Sequence, residues 1–390
     1  MNILYADYQM YGKEDIEAAL RALGHTVTET DLPLLYEQDV PSLEQELDTL
    51  INSAGFDLVF TSNFHPELAR VCDKNKVKYV SWTYDSPLVA LYDRTVLSPY
   101  CYTFIFDSAE VAALKQRGAT QVWYMPLAVN ADRVGKINIS EEDRKSFSAD
   151  VSLVASLYNE SHNLYDRLST KLDEYIVGFL EGVMHAQANL FGGNLIDDVL
   201  TAHPELVQVM KQTMPYPLAE GSLADESYVY ANYFLCRKVA NIQRLKLIDE
   251  IAKRFDLKVY TRGDLSALPH VKCMGTVDYK TDMNKVFKLS KINLNITLPS
   301  IHTGIPLRAL DIMGAGGFLL SNWQQDYEGL FEVGEDFAAY TSLDDLLFLI
   351  DYYLTHEEER AAVAQQGQKK VAEAFNFEAM LAQILEIAEA

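Results

Sequence analysis

The sequence predicts an α/β protein built from two doubly wound domains, and three observations carry that prediction. Short, unbroken apolar runs of strand length alternate with amphipathic stretches of helix length through residues 1–135. The same alternation returns in residues 150–355. Glycines stand just past the ends of expected helices and a proline stands at a first turn, which is the punctuation of βα units. Strands that read as continuous apolar runs are buried on both faces, so both sheets are expected to be parallel.

The elements follow in order. "NILYA" opens the first domain, and a helical run over 13–23 stops at Gly24. "HTVTE", a helix near 41–53, "DLVFT" and a helix starting at Pro66 come next. "VKYVSW", "TFIF" and "QVWYM" complete the sheet, with a helix from Ser108 to Gln116 ended by Gly118. Residues 128–149 are polar, lack an apolar period and read as a linker. "DVSLVA" begins the second domain, which a helical insertion at about 160–230 then interrupts. "LKVYT", "VKCMG", "INLNIT", "GFLLS" and "FAAYT" resume the alternation. Residues 356–390 read as helices that pack back toward the N-terminal domain.

Composition removes several classes of function. The 390 residues carry 33 basic and 56 acidic side chains, a net charge of −23. That balance argues against nucleic acid or an anionic membrane as the main partner, though a few local donors still suffice for a small anion. The four cysteines form no CxxC pair, which suits a reduced, cytoplasmic protein. The N-terminus enters a strand directly, with no sign of a signal peptide, and no apolar stretch reaches the roughly 20 residues of a membrane span. G-x-x-x-x-G-K-[ST], H-E-x-x-H, D-x-D and G-x-S-x-G are all missing, and the histidines are dispersed, so no metal is expected.

One stretch concentrates chemistry: "SIHTGIPLRALDIMGAGGFLLSN", residues 300–322. The chain leaves a strand, turns through His302, Thr303 and Gly304, and is expected to begin a helix near Ile305 with Pro306 in its first turn. Backbone N–H groups within 303–306 would then form an anion site at the positive end of the helix dipole. Arg308 adds a guanidinium suited to a diphosphate, and Asp311 is an acceptor for two adjacent hydroxyls. An ordinary αβ unit with solvated charges is the competing reading. In the first domain Asp7, His65, Asp85 and Asp107 follow strands. His65 and Asp85 are the candidate proton acceptors, against a locally bonded loop histidine and a turn aspartate. Tyr5, Tyr8, Tyr11, Trp82 and Tyr84 are candidates for a sugar-binding floor, with core packing the alternative for Trp82.

The run "PLRALDIMGAGGFLLSNWQQDYEGLF…GEDFAAYTSLDDLLFLIDYYLTHEEERAAVAQQGQKKV" resembles the C-terminal half of group 1 glycosyltransferases. Within these it is most similar to the subgroup related to spore-maturation glycosyltransferase-like proteins. "DLVFTSNFHPELA…KYVSWTYDSP…FIFDSAEVAALKQRGATQVWYMPLAVN" is similar to the N-terminal domain often attached to that subgroup. The resemblance implies a GT-B fold, two Rossmann-like domains with a cleft between the carboxyl ends of their sheets. It implies a nucleotide diphosphate sugar, UDP-, GDP- or TDP-linked, held mainly by the second domain. Arg308 and Arg262, with Arg244 behind them, are the implied diphosphate contacts, Asp311 the ribose contact, and Gly275 and Val277 the neighbours of the base. The chain departs from the family's glutamate pair: Thr303 stands where the first glutamate is expected, and Asp311 is the shorter acid.

The expectation is a metal-independent glycosyltransferase placing a sugar on a hydroxyl of a glycan, lipid or protein. Two alternatives stay open: a nucleotide-sugar epimerase of the same fold, and a non-catalytic structural or assembly protein derived from it. The insertion reads equally as a homo-oligomer interface, an acceptor contact or a cover.

Overall fold

The computed structural model describes residues 1–7, 12–31, 40–161 and 163–389. Its contacts divide into two compact units. Unit 1 comprises Met1–Ala128, Leu218–Ala224 and Ala374–Ala390, and unit 2 comprises Val129–Pro217 and Asp225–Glu373.

Unit 1 begins with β1 (Asn2–Asp7), α1 (Lys13–Ala22), β2 (Thr26–Asp31) and α2 (Val40–Ala54). It continues with β3 (Leu58–Ser62), α3 (Pro66–Asn75), β4 (Lys78–Thr83), β5 (Cys101–Ile105), α4 (Ser108–Gln116) and β6 (Val122–Tyr124). The six strands form one parallel sheet in the order β2-β1-β3-β4-β5-β6. Every residue of β3 is buried, as a central parallel strand covered on both faces requires.

Unit 2 opens on α5 (Ala131–Gly135) and α6 (Glu141–Phe147), where the sequence reads as a linker. The one-turn helix α5 is too short to show an apolar period and buries Ala131 and Val134. In α6 no residue is buried, and a capping box between Ser140 and Asp143 satisfies its first turn. Next come β7 (Ala149–Val154) and the insertion: α7 (Leu164–Ser169), α8 (Glu174–Gln187), α9 (Leu195–Ala202), α10 (Pro204–Thr213) and α11 (Glu226–Val229). A π-helical segment, Tyr230–Leu235, joins α11 to α12 (Cys236–Ala252). The second sheet is completed by β8 (Leu257–Tyr260), the two-residue β9 (Lys272–Cys273), α13 (Asp282–Leu289) and β10 (Ser290–Asn295). After these come α14 (Leu307–Gly314), β11 (Leu319–Asn322), β12 (Ala338–Tyr340), α15 (Leu343–Thr355) and α16 (Glu357–Ala374). The strands are again all parallel, in the order β12-β11-β10-β7-β8-β9. The core on this sheet gathers Val151, Leu153, Val259, Ile292, Leu294 and Leu320.

The tail, read from sequence as one block at 356–390, divides. The helix α16 lies with unit 2, where Lys370 pairs with the buried Asp336 at 2.6 Å. The last helix, α17 (Phe377–Glu389), belongs to unit 1, packs on α1 and sets Phe377 edge-on to Trp82 at 6.2 Å. The segment Leu218–Ala224 also joins unit 1: Leu223 N–H donates to Tyr92 O, and Arg117 Nε donates to Leu223 O at 3.1 Å.

Candidate functional site

The strand order of unit 2 reverses between β7 and β10, and doubly wound sheets present their ligand crevice at the carboxyl ends beside such a reversal. Arg244 of α12 spans that point. Its Nη1 donates to Ser156 O beyond β7 at 2.5 Å, and its Nη2 to Ile296 O beyond β10 at 2.6 Å. Tyr158, held at φ 54°, lies 5.1 Å under the guanidinium, and the side chain is 7% exposed. No carboxylate pairs with it among the described residues. Burial pulls its pKa below the usual guanidinium value, and the charge of Arg308 acts in the same direction. A buried cation held by two carbonyls and a tyrosine ring, with no carboxylate beside it among the described residues, leaves the crevice positively biased inside an acidic chain.

Arg262 follows β8 at the same edge and is exposed, in a loop clasped by Asn159, whose Nδ2 donates to Asp264 O at 2.6 Å. Gly263 needs its missing side chain there, since a Cβ would stand 2.6 Å from Leu157. Gly275, at φ 75°, accepts from Thr261 N–H at 2.7 Å, which brings residues 262 and 275 onto one edge. Val277 beside it is half-buried.

The helix after β10 starts later than expected. It runs from Leu307, with Pro306 as its N-cap at ψ 147° rather than inside the first turn. Proline steers its predecessor Ile305 away from helical backbone, and nearby acceptors are already used. Thr303 O accepts from Asp326 N–H at 3.0 Å, and Gly304 O from Gln324 Nε2 at 3.4 Å. Residues 303–306 therefore form a braced loop, and the helix offers its first N–H groups at Leu307 and Arg308, with no side chain capping them.

Arg308 folds along α14, its Nη1 3.3 Å from Asp311 Oδ2 and its guanidinium 5.5 Å from the Phe287 ring. Its Nη2 and Nε donate to no described group, and the side chain is 29% exposed. Asp311 is 3% exposed, and its Oδ1 accepts from Tyr279 Oη at 3.1 Å. Burial pushes its pKa up to about 6, against the pull of Arg308 and Tyr279. Burial also raises the Tyr279 phenol, which stays protonated as the donor.

The remaining predicted residues of unit 2 meet the insertion. His302 Nε2 lies 3.2 Å from Asn194 Nδ2 and 3.3 Å from Asp197 Oδ2 of α9. Thr303 Oγ1 donates to Asp326 Oδ2 at 3.3 Å. The structure thus groups Arg244, Arg262, Gly275, Arg308 and Asp311 along the β7, β8 and β10 edge, and His302, Thr303 and Gly304 toward β11 and α9.

In unit 1, His65 is the N-cap residue of α3. Its Nε2 lies 3.2 Å from Ser62 O and its Nδ1 3.6 Å from Glu67 Oε1, and burial pulls its pKa down to about 4. The ring is neutral at pH 7, with Nε2–H directed at a carbonyl. Asp85 is exposed just beyond β4, and its Oδ2 accepts from Asn63 Nδ2 at 2.8 Å. Asp107 is a helix cap that accepts from Ala109 and Glu110 N–H, so it is occupied structurally. The expected aromatic floor is not formed by Tyr5 and Trp82, which are 0% exposed core residues of covered strands. Tyr84 is half-buried, edge-on to Trp82 at 5.2 Å, and Tyr8 and Tyr11 lie outside the described residues.

Sequence reasoning missed Asn63, Tyr279 and Asp326, whose partners lie 22, 32 and 23 residues away and meet them only through sheet order. Among the described residues, no group of three or more His, Cys, Asp or Glu side chains is placed to hold a metal ion, and no helix is long and apolar enough to cross a membrane.

Residues 242–386 match a family model described as glycosyl transferase-like, a span that contains every candidate residue of unit 2 named above. No curated protein matches the sequence. Three solved structures are similar across all of this chain. Sucrose-phosphate synthase from Thermosynechococcus elongatus matches over 98% of its own length with TM-score 0.59 and 10% identity. HepE from Anabaena in complex with UDP-glucose matches over 99% with TM-score 0.54 and 13% identity. A glycosyltransferase from Rickettsia africae matches over 97% with TM-score 0.53 and 11% identity. The chain has the GT-B fold.

Proposed function

We propose that this GT-B chain is a glycosyltransferase that moves a sugar from a nucleotide diphosphate donor to an acceptor hydroxyl of a glycan, lipid or protein. The observation that carries the reading is Arg244, a buried guanidinium without a carboxylate partner among the described residues, at the reversal of the second sheet. That is a site prepared for anionic ligand charge. Its neighbours supply the rest: the open Nη2 and Nε of Arg308, the exposed Arg262 and the first N–H groups of α14 take the diphosphate. Gly275 and Val277 lie beside the base. Asp311, with both oxygens engaged, anchors Arg308 and Tyr279 where the ribose docks. The carboxylate missing at Thr303 is offered across space by Asp326, which takes a donor-sugar hydroxyl alongside His302 and Gly304.

In the transfer step the acceptor oxygen bonds to the anomeric carbon while the bond from that carbon to the diphosphate breaks. The acceptor proton passes to Asp85, with His65 neutral on the same edge of unit 1. No metal is required, because guanidinium groups and a helix terminus offset the leaving charge. HepE, whose structure holds UDP-glucose, supports a UDP-linked donor.

Calorimetric titration with UDP, GDP, TDP and their glucose conjugates tests the reading. At least one should bind, and Arg308→Ala should weaken it by about tenfold or more. Equal affinity in the variant overturns the diphosphate assignment, and no binding to any of them overturns the function. Chelator should leave turnover unchanged.

A further inference from the structure

At the carboxyl edge of the first sheet, one side chain makes more contacts than any role assigned so far requires. Asn63 directly follows β3 with φ 64°, a left-handed backbone that few non-glycine residues adopt and that asparagine tolerates well. It is 7% exposed, so its carboxamide must find partners inside the protein. Its Oδ1 accepts from two consecutive backbone groups, Tyr84 N–H at 2.8 Å and Asp85 N–H at 3.0 Å. Its Nδ2 donates to Asp85 Oδ2 at 2.8 Å. Its own N–H donates to Trp82 O at 2.8 Å, and its carbonyl accepts from Thr61 Oγ1 at 2.7 Å. One carboxamide therefore bends the chain at the end of β4 and grips the carboxylate carried by that bend.

We infer that Asn63 aims the Asp85 carboxylate, making it a positioning residue for the proton acceptor of the transfer. The catalytic part of this inference rests on the reading of Asp85 given above; the grip itself does not. A left-handed glycine would satisfy the backbone, so conformation alone does not call for this side chain. An aspartate would satisfy the Tyr84 and Asp85 N–H groups, so the turn does not call for an amide nitrogen either. The bond to Asp85 is what uses the –NH₂ among the described residues. The other titratable groups at this edge are His65, Glu67, Tyr79 and Tyr84.

Two substitutions separate these parts. Asn63→Asp keeps the acceptor for the turn and sets two carboxylates against each other. Asn63→Gly keeps the backbone and removes the grip. In full-length protein labelled with [13C]aspartate, with the Asp85 resonance assigned through Asp85→Asn, the carboxyl carbon is titrated. The Asp85 midpoint is expected to rise by about one pH unit or more in Asn63→Asp, and by less in Asn63→Gly. An unchanged midpoint in both variants overturns the inference. UDP release from UDP-glucose, or from whichever donor calorimetry identifies, gives the second arm. Asn63→Asp is expected to cut kcat at least tenfold with donor KM unchanged, and to add no further loss in the Asp85→Asn background. If Asp85→Asn turns over at the wild-type rate while the Asn63 variants still move the Asp85 titration, the proton-acceptor reading fails and the grip stands.

Discussion

Asp311 carries a consequence for stability that can be read as a function of pH. Burial raises its pKa from 3.8 to about 6, so between these values the folded chain holds a proton that the unfolded chain has lost. The sign follows: this group's favourable contribution is fully present below about pH 4 and is lost as pH rises through about 6. Its size is at most about 3 kcal/mol, two pKa units at roughly 1.4 kcal/mol each. Asp311→Asn removes the titration. The melting temperature of wild type relative to this variant should therefore fall from pH 4.5 to pH 7.5, and a constant difference would show that the carboxyl ionises normally. Arg244 makes a second residue-scale prediction. Arg244→Met fills much of the space yet leaves Ser156 O and Ile296 O without their donor, at about 1–3 kcal/mol each. Melting should drop by several degrees, and nucleotide affinity should fall further than in a surface variant of equal stability.

Among the elements, α16 is held by a contact that permits no side chain at one position. A Cβ on Gly367 would stand 2.2 Å from Asp336 O, and Lys370 one turn later pairs with the same aspartate. Gly367→Ala should cost about 1–3 kcal/mol as the helix lifts from the 332–337 turn, read as a lower melting temperature. Legibility also differs element by element. The central strands were plain because covered parallel strands are continuous apolar runs: "DLVFT" contains β3 as far as Thr61 and "INLNIT" contains most of β10. The short helix α6 was not, since a capping box rather than an apolar stripe makes it, although Ser140 and Asp143 stood at the right spacing. Pro306 was visible, but its choice between N-cap and first turn depended on the Thr303–Asp326 and Gly304–Gln324 braces, which no local pattern encodes. Candidate residues at strand ends were found where they follow an apolar run, as Asp85 and Arg262 do. Asn63 was hidden within "TSN", because its meaning lies in the neighbouring strand.

At the scale of the whole molecule, a chain of net charge −23 concentrates its donor candidates at one edge of one sheet. Affinity for a nucleotide should weaken with added salt, and less steeply in Arg308→Ala, because one charge-assisted contact is gone. Titration at two salt concentrations measures both slopes. The tail has its own consequence. Unit 1 includes Ala374–Ala390, so its chain is drawn from segments far apart in the sequence. A coding sequence stopped after Ala128 yields a fragment without the helix that carries Phe377 to Trp82, and it should be insoluble or aggregated. If a protease site is instead opened after Ala128 in the intact protein, the two pieces should still travel together on a sizing column. Expression of the first sheet by itself will therefore need the codons for residues 374–390 spliced back onto it.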